Sequence, residues 1–308
     1  MQPAASSRPM HAPMHAPRRL QDNPLFLLLV TGVLLGLYFP LGKWANLAGV
    51  APLAWAALIA LGPGLILAVA SFTRDETPLQ QQHLGFAAIS GFLAYVIPNG
   101  VVFAALPHVG SGLASLMYAF SPVFTAAFSI ALRVRPPGRN LLLAVALGFA
   151  GAVLIVLGRN SLALETAGGW LLAAFSVPVS LACGNVFRTR WWPQNMQPLR
   201  MAALSLLAAA VPLAVLAVIT GGGSALASLA NAPGLALSQI LLSSAMFVAF
   251  FRLQWVGGPT YLSQIGYLAA AVGLPAGVVV FGESYPAIVW AGAACVALGI
   301  VAAARKTV

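Results

Sequence analysis

Long apolar stretches alternate with short polar connections along almost the whole chain, from about residue 24 to residue 304. Each stretch can cross ~30 Å of hydrocarbon as a helix. Lipid offers the backbone no hydrogen-bond partners, so such stretches must be helical. The pattern therefore predicts an all-α integral membrane protein with ten transmembrane helices. The predicted spans are 24–45, 51–73, 84–106, 109–132, 139–158, 168–188, 197–219, 235–253, 257–281 and 286–304.

The charged residues fall almost entirely in every second connection, and this alternation indicates an orientation. If the N-terminus is cytoplasmic, thirteen of the fifteen Lys and Arg residues lie on the cytoplasmic side, and only Lys43 and Arg159 lie opposite. Short cytoplasmic loops of membrane proteins carry an excess of Lys and Arg. We therefore expect a multi-pass protein of the cytoplasmic (inner) membrane with both termini inside, preceded by a disordered cytoplasmic tail over residues 1–23.

Composition changes this picture little but excludes several classes of protein. Hydrophobic residues make up 60% of the chain and charged residues 6%, a membrane composition. The net charge of +10 is explained by the cytoplasmic loops, so no nucleic-acid partner is expected. Cys183 and Cys295 both lie in apolar blocks and make neither a disulfide framework nor a metal site. No cofactor is expected. No catalytic pair occurs at depth, so an enzyme is not expected either.

The apolar blocks of the two halves superpose when the sequence is shifted by 147 residues, five blocks on five. Phe103 and Val109-Gly110 then fall on Phe250 and Val256-Gly257, and Lys43 falls on Arg190. Because each half has an odd number of spans, the second half must enter the membrane from the opposite side. The shift predicts two inverted repeats, 24–158 and 168–304, as in many secondary transporters.

Two short motifs and this repeat carry a resemblance to a known family. Gly36 to Lys43 is similar to the first-helix G-(x)6-K signature of the drug/metabolite transporter superfamily, whose domain is duplicated and EamA-like. Gly282-Glu283 resembles its Gly-Glu motif, and Gly292 to Gly299 lies in the expected small-residue helix. Within the superfamily the chain is most similar to YddG-type aromatic amino-acid exporters. Arg133-Val134-Arg135 stands where the first half of the family pattern has Gly-Glu.

Polar side chains inside the spans are the candidate solute-binding residues, since polar groups in lipid usually face a bundle interior or a water-filled cavity. The alternative for the small ones is ordinary helix packing. The candidates are Tyr38, Tyr95, Asn99, Tyr118, Asn185, Ser244, Gln264 and Tyr267. Prolines within spans remove a helical hydrogen bond and are candidate hinges. The candidate hinges are Pro40, Pro98, Pro122, Pro178 and Pro275.

Lys43 is the one full charge that falls within a span on the outer side. Its stem could carry the ammonium to the interface. Alternatively, Lys43 attracts a solute carboxylate at the outer mouth, with Arg190 as its counterpart at the inner mouth. None of the five acidic residues falls at mid-membrane, whereas cation/proton exchange needs a buried carboxylate. A neutral or zwitterionic solute therefore fits better than a cation.

These patterns predict an exporter that works by alternating access through a central cavity. By resemblance, its solutes are aromatic and other neutral amino acids or similar small metabolites. The alternatives are a polyspecific drug or cation efflux transporter and a non-transporting membrane sensor, although a sensor would usually carry a soluble output domain. The expected partners are the small-molecule solute and the lipid bilayer, and the expected state is a monomer.

Overall fold

The computed structural model describes residues 23–72, 78–132, 139–157 and 162–304, and within these ranges the chain is helical and contains no strand. The predicted tail, apart from Asn23, and the Arg133-Val134-Arg135 connection lie outside the described residues. The helices are α1 (Pro24–Gly36), α2 (Tyr38–Leu47), α3 (Pro52–Phe72), α4 (Gln81–Gly91), α5 (Ile97–Leu116), α6 (Ser121–Ala131), α7 (Arg139–Leu157), α8 (Leu162–Arg190), α9 (Pro198–Gly221), α10 (Pro233–Ser263), α11 (Ile265–Phe281) and α12 (Ala287–Ala304).

Six helical segments of the described chain are long and apolar enough to cross a membrane. They are Pro24–Leu47, Pro52–Ser71, Gln81–Gly112, Pro198–Gly221, Pro233–Gly258 and Tyr261–Phe281. These segments overlap the first, second, third, seventh, eighth and ninth predicted spans. The fold is thus that of a helical multi-pass protein, while the count of ten spans stays a prediction.

Three of the candidate hinge prolines follow an irregular turn. A proline has no N–H to donate to the carbonyl four residues earlier. Leu37 interrupts the helix before Pro40, a π-helical turn over Phe92–Val96 precedes Pro98, and a 3₁₀ turn over Met117–Phe120 precedes Pro122. Pro178 and Pro275 instead lie inside α8 and α11, which run on through them.

Glycine allows two further breaks in the helical path. Gly110 has φ 78° within α5, and Gly258 has φ 71° within α10, so the chain changes direction at both points. Residues other than glycine are strained at such values. The chain after Gly110 therefore starts a new helical segment, and the backbone N–H groups of its first turn are left without helical partners.

Close packing of distant helices builds the bundle. α3 packs on α9, α7 on α12, and α1 on both α10 and α11. Gly32 and Gly36 of α1 lie directly under the side chains of Leu268 and Val272 of α11, with no room for a larger residue. Small residues at such crossings let backbones approach closely in a membrane bundle. The core holds large buried side chains such as Trp55 and Phe103.

Candidate functional site

A carboxylate at one end of the bundle accepts hydrogen bonds from five donors. Glu283, in the connection between α11 and α12, accepts hydrogen bonds at Oε1 from the Ser111 backbone N–H at 3.1 Å and its hydroxyl at 3.0 Å. The Gly112 N–H donates to Oε2 at 3.2 Å. The Lys43 ammonium pairs with Oε1, and the Tyr285 hydroxyl donates to Oε2. The carboxylate thus joins α2, α5 and the α11–α12 connection.

The local backbone explains why this site attracts a negative charge. Gly110 turns the chain so that the amides of Ser111 and Gly112 begin a new helical segment, and helix N-termini favour anions. Burial by itself raises the pKa of the Glu283 carboxyl. The hydrogen bonds from Lys43, Tyr285 and the two backbone amides outweigh that effect and lower the pKa from 4.5 to about 2. Glu283 is therefore ionised at neutral pH.

Lys43 does not stand alone at its end of α2. Besides Glu283, its ammonium lies 4.4 Å from the centroid of the Phe281 ring. The sequence singled out Lys43 but gave no sign of this partner, which is 240 residues away. A solute carboxylate at this mouth would have to compete with Glu283. Arg190, its counterpart in the predicted repeat, is exposed and lies over the Trp191 ring at 5.9 Å.

A small pocket lies deeper in the bundle, between helices of the two predicted repeats. It holds about 40 Å³, room for one or two water molecules. Its polar wall comes from Tyr118, Ser121, Asn185 and Ser263. The apolar wall comes from Leu35, Leu181, Phe250, Leu262, Ile265 and Gly266. An amino acid is several times larger, so it enters this pocket only if the helices move apart.

Of the eight candidate binding residues, Tyr118 and Asn185 line this pocket. Asn99 lies next to it, because its side-chain oxygen accepts a hydrogen bond from the Tyr118 hydroxyl at 3.2 Å. Gln264 is buried at the break between α10 and α11 and follows the lining residue Ser263. Four of the eight candidates, Tyr118, Asn185, Asn99 and Gln264, therefore line the pocket or lie next to a residue that does.

The other four candidates do not line the pocket, although Tyr95 lies beside the lining residue Phe250, with ring centroids 6.5 Å apart. Tyr95 packs edge-on against Phe247 of α10 at 5.2 Å. Tyr38 is buried and faces Ser243 without a hydrogen bond of standard geometry.

Two of these four are accounted for by packing. Ser244 donates to the Ile240 carbonyl of its own helix at 2.8 Å. The Tyr267 ring lies directly against Gly148 of α7. Its contact with α7 explains why Tyr267 is absent from the pocket wall.

Sequence reasoning missed Arg188, which it counted among the cytoplasmic basic residues at the end of the predicted span 168–188. Its side chain is 0% exposed. Its guanidinium donates to Gln254 at 3.2 Å, to Asn185 at 2.8 Å and, more weakly, to Ser90 at 3.5 Å. The only signal in the sequence was Asn185 three residues earlier, on the same face of one helix.

Fold and composition define a helical multi-pass membrane protein, and the comparisons with known proteins refine that class. Residues 23–157 match the model of the EamA-like transporter family, so this part of the chain is similar to an EamA-like domain. EamA proteins are transporters rather than enzymes.

Solved structures share the fold, and no curated protein shows a significant match. Twenty-four solved chains match. One of them, described only as "Crystal structure of protein", superposes with a TM-score of 0.63 at 18% identity. The superposition covers 90% of this chain and 96% of the solved chain.

Proposed function

We propose that this protein is a membrane transporter that exports aromatic and other neutral amino acids, or similar small metabolites, by alternating access. The observation that carries the proposal is the pocket around Tyr118 and Asn185. It has a polar wall inside a largely apolar bundle, and its residues come from both predicted repeats. Sites of this kind lie near the midplane of many secondary transporters. The EamA-like domain over residues 23–157 supports the same class.

Helix packing supports the inverted repeat on which alternating access depends. The 147-residue shift relates α1–α2 to α8, α3 to α9, α4–α5 to α10, α6 to α11 and α7 to α12. If each helix is exchanged with its mate, an observed contact should map onto another observed contact. The contact of α1 with α10 maps onto that of α8 with α5, and the contact of α1 with α11 maps onto that of α8 with α6. α4 packs on α9 and α10 on α3, and the remaining helices α3 and α7 pack on their own mates.

The breaks in the helices follow the same shift. Gly110 and Gly258 have φ values of 78° and 71° and lie 148 residues apart, one position more than the shift. The 3₁₀ turn Met117–Phe120 likewise corresponds to the break at Gln264. Equivalent bends in both halves give each half a place to flex, and this supports rocking of one half against the other.

The cluster around Glu283 suits the role of a gate. Its hydrogen bonds close one end of the bundle from three elements at once, and the pocket below is too small for an amino acid. Opening this end requires only that the carboxylate part from Lys43 and the Ser111–Gly112 turn. The gate is formed by polar contacts that water can replace when they separate, unlike the apolar contacts along the rest of the bundle.

Transport in proteoliposomes tests the proposal. We expect counterflow of labelled phenylalanine, tryptophan or leucine into vesicles loaded with the same amino acid. Tyr118→Ala and Gln264→Ala should reduce it by about tenfold or more, because Tyr118 lines the pocket and Gln264 is buried between the lining residues Ser263 and Ile265. Ser244→Ala is the matched control, since its hydroxyl is satisfied by its own helix.

Absence of counterflow for every amino acid, with a folded protein, would overturn the substrate proposal. A lipophilic cation belongs in the same panel, because its efflux would favour the polyspecific drug transporter instead. Full activity of both pocket variants would remove Tyr118 and Gln264 from the site.

A further inference from the structure

Arg188 is a buried cation with only neutral partners among the described residues. Gln254, Asn185 and Ser90 accept its hydrogen bonds, and the Phe250 ring lies 5.3 Å from its guanidinium carbon. No described carboxylate reaches it. Glu283 is bound by Lys43, and Glu165 lies 23 positions earlier in the same helix α8, about 35 Å away at ~1.5 Å per residue.

A buried charge without a counter-ion lowers the stability of the folded protein, so its presence points to a function. Removing a cation from water is strongly unfavourable, and buried charges are normally paired with an opposite charge. Neutral amide and hydroxyl oxygens orient the guanidinium without neutralising it. Three of its five N–H groups have partners, so two remain for another acceptor. A planar fork with free N–H groups suits a carboxylate.

Arg188 borders the pocket described above. Asn185 both lines the pocket and accepts a hydrogen bond from Arg188. Phe250 both lines the pocket and faces the guanidinium. An anionic group that entered between these two side chains would therefore reach the guanidinium. The aromatic rings of Phe250 and Tyr118 would remain beside the rest of the molecule, and both offer apolar faces to a ring or an alkyl chain.

We propose that Arg188 binds the carboxylate of the transported solute, so that the solute class is a small monocarboxylate, zwitterionic at neutral pH, with an aromatic or aliphatic side chain. This inference rests on the proposed transport function. It moves the carboxylate site from the mouths, where Lys43 and Arg190 were expected to attract it, to the wall of the central pocket. Asn185 positions the guanidinium, and Phe250 shields it from lipid.

Binding to the purified full-length protein in detergent tests this assignment, with calorimetry as the readout. The probes are phenylalanine and leucine, each compared with its amide, which has a neutral carboxamide in place of the carboxylate. We expect the wild-type protein to bind each acid about 10- to 100-fold more tightly than its amide, the range of a charge-assisted hydrogen-bonded pair. Equal binding of acid and amide by the wild type would overturn the proposal.

Three variants separate a binding role from a structural one. Arg188→Gln should bind acid and amide equally, and Arg188→Lys should keep part of the preference for the acid. Arg190→Gln, which changes an exposed cation two residues away, should keep all of it. If Arg188→Gln does not fold, the wild-type ratio and Arg188→Lys decide the question. Full preference for the acid in a folded Arg188→Gln protein would overturn the assignment.

Three acidic residues, Asp22, Asp75 and Glu76, lie outside the described residues, and their neutralisation completes the test. The triple variant Asp22→Asn/Asp75→Asn/Glu76→Gln should leave acid binding unchanged. Tighter binding of acids in that variant would show a resident counter-ion at Arg188 and overturn the proposal.

Transport assays with the same probes separate this proposal from the proposed function. Equal transport of acid and amide would overturn the Arg188 site and leave the transporter. Selective binding of acids through Arg188, without transport of any, would overturn the transporter and leave the site. Neither binding nor transport of any probe by the wild type would overturn both.

Discussion

At the scale of single residues, charge decides what is unusual in this protein, and each important charge has a different environment. Lys43 and Glu283 neutralise one another where the side chains retain 24% and 13% of their exposure. Arg188 is fully enclosed and has neutral partners. Sequence could single out Lys43 because a lysine in an apolar block is rare. It could not find the partner, because contacts between distant helices leave no trace in local periodicity.

The pairing of Glu283 predicts an acid-sensitive stability. Its pKa in the folded protein is about 2, below the ordinary 4.5. A lowered pKa contributes stability that is fully present above pH 4.5 and is lost as the pH falls toward 2. Melting temperatures of the detergent-solubilised protein between pH 6 and pH 2 should show this loss. In Glu283→Gln, the part of this loss in melting temperature that comes from the carboxylate should be absent. A pH dependence equal to that of the wild type would contradict the pairing.

At the scale of helices, glycine and proline in the sequence locate most of the breaks. Gly110 and Gly258 have positive φ values, and the chain changes direction at both. Pro40, Pro98 and Pro122 each follow an irregular turn, but Pro178 and Pro275 do not. The difference cannot be predicted from the residue, because neighbouring helices decide whether a freed carbonyl is accommodated within a straight helix or by a bend.

A glycine at a helix crossing provides the prediction at this scale. A Cβ on Gly266 would lie 2.2 Å from the Tyr118 carbonyl oxygen, so Gly266→Ala must push α11 from the 3₁₀ turn. We expect a loss of about 1–3 kcal/mol of stability, the usual cost of overpacking, together with weaker solute binding.

The matched control is Gly85→Ala in α4, where nothing lies within 4 Å of a new Cβ. Replacement of a helical glycine by alanine at an open position is worth about 0.5–1 kcal/mol. Unfolding in denaturant should show a lower free energy of unfolding for Gly266→Ala and a higher one for Gly85→Ala than for the wild type. Equal stability of the two would show that α11 has room to move away from Tyr118.

At the scale of the whole molecule, hydropathy alone predicted a helical membrane protein, because the bilayer constrains segment length and backbone pairing so strongly. The inverted repeat that the internal shift indicates stays a prediction. Side-chain detail was less accessible. The sequence makes Tyr267 and Ser244 candidate binding residues, yet Tyr267 packs against α7 and Ser244 bonds to its own helix.

The charge asymmetry predicts which ends face the cytoplasm, and cysteine labelling tests it. Gln194 and Ser224 are exposed and lie at opposite ends of α9. In a variant with Cys183 and Cys295 replaced by alanine, Ser224→Cys should react with a membrane-impermeant maleimide in intact cells. Gln194→Cys should react only after permeabilisation. The reverse result would place both predicted termini outside.

The ion pair of Lys43 and Glu283 also has a consequence for biosynthesis. The two residues are separated by 240 positions, and chains grow at about 5–20 residues per second, so the carboxylate emerges roughly 10–50 s after the ammonium. Throughout that interval Lys43 has no counter-ion and must reach toward water along its flexible stem. The end of the bundle is therefore sealed last. A chain that stops before residue 283 therefore keeps Lys43 without the carboxylate that neutralises it in the full-length protein.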